Sequence, residues 1–175
     1  MHRQKKAWLA INVVGGAAVL GSYVHGLLTH PDTRDQLWGA IPPELQAVYG
    51  VTMWLAAAGY FLFSYELVVR ADAEGVRFGP FGFGLLNALY ALIMAAAASW
   101  MPLTFAYFEH PSGALWLLIR TGLFGVGAGS IGLTIALFTM TPRARGISGI
   151  LALLGLLFFC LQTAFLDAFV WPQFF

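Results

Sequence analysis

The sequence predicts an all-α integral membrane bundle of five transmembrane helices, and three observations lead there. Hydrophobic residues make up 59% of the 175 residues and charged residues 10%, with a mean hydropathy of +0.77. A soluble domain is roughly 45–50% apolar and about 25% charged. Of the seventeen acidic and basic residues, only Glu66, Arg120 and Asp167 fall inside the long apolar runs. Backbone N–H and C=O groups find no water in hydrocarbon, so runs of about 20 apolar residues read as helices, and none here alternates like a barrel strand.

The runs cover approximately 7–28, 45–69, 78–108, 113–140 and 146–171, in a single membrane domain. The first follows Met-His-Arg-Gln-Lys-Lys, the layout of a cleaved leader. It reaches Leu28 without a small-x-small site and a polar continuation, so it reads as helix 1. The second opens at Pro42-Pro43, residues suited to a helix start. The third is longer than a bilayer needs, which predicts tilt, a kink at Pro102 or a protruding end. The fourth and fifth are separated by a short basic turn with Arg143 and Arg145.

Basic residues in short loops set orientation. Arg3, Lys5, Lys6, Arg70, Arg77, Arg143 and Arg145 fall on one side and Arg34 alone on the other, which predicts a cytoplasmic N-terminus and a C-terminus outside. The bias favours a bacterial inner membrane. The longest polar connection, 29–44, is short, so function is expected in the bundle, its rims or its contacts with other chains. Around Trp38 that loop can fold as a small cap, whereas 70–80 reads as an ordinary solvated turn.

Composition and motifs exclude several classes. A net charge of +1 offers no basic field for nucleic acid, and the single Cys160 rules out an intramolecular disulfide framework. No spanning lysine, GxSxG, HExxH or Walker loop is present, which disfavours retinal-binding, hydrolase, metalloprotease and ATPase readings. No catalytic residue is assigned.

Arg120 and Asp167 fall at similar predicted depth on helices 4 and 5. A charge in the bilayer is costly, so they are expected to pair across the helices. A structural clamp is the first reading, a binding or proton-handling role the second, and snorkelling to the headgroups the third. His25, His30 and His110, with Glu109, share one rim and are the only metal candidates, in no compact motif. Gly122, Gly125 and Gly129 on helix 4 allow close helix approach, within the chain or against a second copy or partner subunit. Trp54, deeper than the other tryptophans, can line a cavity, and Asn87 and Tyr90 form a polar-tipped apolar stripe.

The helix order and prolines resemble the translocator protein family, the tryptophan-rich sensory proteins TspO/MBR. That family's first interhelical loop has a Lys-Pro and then a Pro-Pro, where this chain has His30-Pro31 and Pro42-Pro43. Its third helix carries Trp-x-Pro-x-Phe-Phe, matched at Trp100, Pro102 and Phe105. This chain departs in having Trp38 as the loop's single tryptophan and Thr104 in place of the motif's first Phe. The resemblance implies a non-enzymatic protein that binds a porphyrin- or sterol-like molecule, a tetrapyrrole or lipid, between its helices under the first loop. By position, the loop 30–43 with Trp38, then Trp54, Asn87, Trp100 and Pro102, would lie near that pocket. The alternative is an accessory subunit of a larger membrane complex, packed through glycine-rich faces.

Overall fold

Each long helix starts and stops where local chemistry requires it. In the computed structural model, which describes residues 1–175, helix α1 (Arg3–Thr29) begins after His2, whose ring nitrogen accepts from the Gln4 N–H at 3.2 Å. It ends at His30, before Pro31. A single 3₁₀ turn, Arg34–Trp38, crosses to α2 (Pro43–Arg70), which has proline in its first turn. Helix α3 (Gly84–Glu109) contains Pro102, and α4 (Gly113–Thr139) is capped by the Ser112 hydroxyl accepting from the Leu115 N–H. Helix α5 (Gly146–Phe174) is α-helical to Cys160, winds in wider π turns over Leu161–Val170 and ends in a 3₁₀ turn. All five are long and apolar enough to cross a membrane.

Helix α3 starts later than its apolar run predicts. Gly79, Pro80, Gly82 and Gly84 interrupt the run, and Gly79 takes φ 59°, which favours glycine. Strand β1 (Arg77–Phe78) instead pairs antiparallel with β2 (Met140–Thr141), and the tight hairpin Phe78–Phe81, closed by an antiparallel bridge, marks this as the hairpin end of the bundle. The expected solvated turn, 70–80, is solvated on one side only: Asp72, Glu74, Gly75 and Arg77 are exposed. Ala71, Ala73, Val76, Phe78 and Phe83 are buried, because this end of the bundle has apolar side chains that need a plug.

Helix α1 packs on α3, α3 on α4, α4 on α5 and α5 on α2. Where α2 crosses α5, the backbones touch. A Cβ added to Gly59 would stand 2.5 Å from the carbonyl oxygen of Gly155. Without a hydrophobic drive in lipid, such small-residue contacts hold helices together through close packing. The α1–α2 seam is joined near the hairpin end, by the Tyr60 hydroxyl donating to the Asn12 side-chain oxygen Oδ1 and by Lys5 Nζ donating to the Val69 backbone carbonyl at 3.0 Å.

Two separate cores result. The larger lies toward the hairpin and includes Phe63, Leu67, Phe78, Leu86, Tyr90 and Leu156. The smaller lies under the 34–38 turn and includes Ile41, Tyr49, Ile119, Leu123, Leu166 and Trp171. The outer faces are apolar, as at Val14, Leu20, Phe61, Leu117, Phe138 and Ile147. The ion pairs, His2–Glu74, His30–Glu109 and Glu66–Arg70, all sit at helix ends.

Candidate functional site

Between the two cores lies a cavity of about 530 Å³, within the size range of small-molecule sites. All five helices and the loop line it. Val19, Tyr23 and Leu27 recur every four residues along one face of α1, and Tyr49, Met53 and Tyr60 share the facing side of α2. The floor, toward the hairpin, is Ile93, Val126 and Phe159. From Tyr49 to Tyr60 the helix rises about 16 Å, long enough for an extended or fused-ring molecule.

The roof is the 34–38 turn, as the loop sequence predicts. It is held by the C-terminal end of α5: Trp171 Nε1 donates to the Leu37 carbonyl at 2.9 Å, and the Ala40 N–H donates to the Phe174 carbonyl at 3.1 Å. Gly39, at φ 53°, allows the second contact, since a Cβ there would lie 2.6 Å from that Phe174 oxygen. The Trp38 ring meets the Tyr49 ring edge-on at 6.1 Å, and the Tyr49 hydroxyl donates to the Leu166 carbonyl at 2.7 Å. Leu27 and Met53 border the cavity yet are 40% and 48% exposed, so the mouth opens on the apolar flank between α1 and α2, below the roof.

Polar groups cluster near the roof. Arg34 and Asp35 belong to the turn, and Asp167 borders the cavity one helical turn below Trp171. Asp167 Oδ1 accepts from Gln162 Nε2 at 2.7 Å, and Gln162 Oε1 accepts from the Thr52 hydroxyl at 2.6 Å. This relay fixes the carboxylate and leaves Oδ2 without a protein partner. Gln162, Thr163 and Asp167 all lie on the π-wound part of α5, a local geometry common at functional sites.

The expected Arg120–Asp167 pair does not form. On α4, Ile119, Leu123, Gly127 and Ser130 are among the residues buried in the bundle. Arg120, one residue and about 100° on from Ile119, lies along its own helix. Its guanidinium sits over the Phe124 ring, 5.3 Å from the centroid, and its buried Nε has no partner. Asp167 turns instead into the cavity.

Of the residues expected to line a pocket, Trp38 and Trp100 do so. Trp54 is 80% exposed, about 200° around α2 from buried Thr52, and faces away from the bundle. Asn87 donates to Gln4 Oε1 at 2.6 Å and ties α3 to the start of α1. Tyr90 is fully buried in the hairpin core, bonded to Ser64 at 2.6 Å and packed edge-on against Trp8. Pro102 lines a different cleft of about 170 Å³, beside His25, His30 and Glu109.

There His30 Nε2 lies 3.3 Å from Glu109 Oε1 and its ring stacks on Phe105 at 4.2 Å, so its bonding is structural. His110 does not line this cleft, and no three His, Cys, Asp or Glu side chains converge to hold a metal ion. The α4 glycines serve contacts within the chain: a Cβ on Gly129 would meet Ile93 at 2.5 Å, one on Gly125 would meet Ala96 at 3.3 Å, and one on Gly122 would meet Ala96 and Ser99 at 3.7 Å.

Tyr23, Tyr49 and Met53 were not singled out from sequence. Their signal was the four-residue recurrence of lining positions on α1 and α2, which an apolar flank hides. No family model, curated protein or solved structure matches the chain.

Proposed function

We propose that this is an integral membrane protein that holds a lipophilic, amphipathic small molecule between its helices without transforming it. The observation that carries this reading is the roofed apolar cavity, walled by all five helices and open on an apolar flank. In lipid, that mouth admits a molecule already dissolved in the bilayer, so the ligand need never cross water. The loop charges support insertion with the hairpin end in the cytoplasm and the roof outside, in a bacterial inner membrane. The TspO/MBR resemblance supports a flat polycyclic guest such as a porphyrin or sterol. Of the glycine-rich faces that the subunit alternative would use, Gly122, Gly125 and Gly129 on α4 pack against α3 within the chain.

The test is native mass spectrometry and lipid extraction of the protein purified from its own membrane, with two variants. Ala97→Trp fills the cavity and is expected to eliminate a co-purifying lipophile while the folded yield holds. Trp54→Ala, on the outer face, is expected to retain it. A lipophile kept by Ala97→Trp, or none in the wild type, would reject the reading.

A further inference from the structure

We propose that the cavity selects a lipophilic amine, an apolar body whose cationic nitrogen meets Asp167. This deepens the binding reading above and rests on it. Three observations point the same way.

The first is an acid with a missing partner. Asp167 borders the cavity, uses one oxygen to accept from Gln162, and has no Lys, Arg or His within 4.0 Å. A carboxylate in an apolar setting is costly unless paired, and Arg120, the basic residue nearest in predicted depth, lies over Phe124 instead. A ligand ammonium supplies the absent charge and donates to the free Oδ2.

The second is the company the acid keeps. Tyr23, Trp38, Tyr49, Trp100 and Trp171 line the same roofed half of the cavity. Aromatic faces carry negative potential and attract cations, most strongly where water is excluded. An acid within an aromatic wall is the chemistry that recognises organic ammonium groups.

The third is polarity along the cavity. The floor at Ile93, Val126 and Phe159 is apolar, and the turn residues Arg34 and Asp35 are exposed and add one charge of each sign. Asp167 thus sets the sign of the interior, with the amine under the roof and the apolar body pointing toward the hairpin. An anionic amphiphile would place like charge against Asp167.

The test uses two fluorescent probes of matched shape, 1-pyrenemethylamine, cationic at neutral pH, and uncharged 1-pyrenemethanol. Each is titrated into the full-length protein in lipid nanodiscs and corrected for partition into empty discs. Wild type is expected to bind the amine roughly tenfold or more tightly than the alcohol, the scale of one charge-assisted hydrogen bond. Asp167→Asn is expected to abolish that preference. Equal binding of both probes by wild type would overturn the inference even if the Asn variant fails to fold, and so would a preference that survives in the variant. Binding of either probe that is insensitive to Ala97→Trp would instead reject the cavity as the site, separating the two claims.

Discussion

The two ends of the bundle are built from similar residues and put to opposite uses. At the hairpin end, aromatic and aliphatic side chains fill the space between helices, and Tyr90 pairs with Ser64, Tyr60 with Asn12, and Glu66 with Arg70 at 3.1 Å, while the buried Trp8 Nε1 and Asn87 Oδ1 have no partner. At the roofed end, aromatic rings surround a void, and Asp167 has an oxygen to spare. Aromatic content therefore does not separate a core from a site. What separates them is whether the space among the rings is filled, and whether an acidic side chain borders it.

Four perturbations break or sharpen this contrast, the largest first. Gly59→Leu forces a side chain into the Gly155 backbone, which cannot yield, and is expected to cost about 3 kcal/mol or more, seen as loss of monodisperse protein in detergent chromatography. Next, Phe63→Ala in the filled hairpin core is expected to cost roughly 3 kcal/mol in thermal unfolding. Met94→Ala beside the void should cost well under half of that, because its neighbours already border empty space. Equal losses from these two would erase the distinction between the ends.

Trp171→Phe keeps an aromatic ring but loses the indole's five-membered ring and with it the donor to Leu37, loosening the roof by about 1 kcal/mol. Bound lipophile should then leave about fivefold faster. Unaltered release would mean that the roof does not gate the cavity. The smallest effect concerns Arg120 and Asp167. Their alanine variants should be additive within about 0.5 kcal/mol in a double-mutant cycle, whereas coupling above 1 kcal/mol would restore the direct pair.

Much of the frame was legible in the sequence. Five apolar runs match five helices to within a few residues, except where Gly79, Pro80, Gly82 and Gly84 delay α3. The prolines at 31, 42 and 43 mark the loop that becomes the roof, and Trp38, Trp100 and Asp167 stand out by residue type and place. The site's lining was less legible. Trp54 and Met53 are adjacent and both apolar, yet one faces outward and the other the void. Asn87 and Tyr90 look like a pocket stripe but serve Gln4 and Ser64, partners far away in the chain.

The reason lies in the solvent these helices are suited to. In water, a polar face tells which side of a helix points outward. Here inner and outer faces are both apolar, so composition determined how many helices there are, where they end and which charges are left among them. Only packing decided which way each residue turns, through close approaches such as Gly59 on Gly155 and Gly129 on Ile93. Those approaches set the helix rotations, and the rotations leave the void between the two cores with Asp167 facing into it.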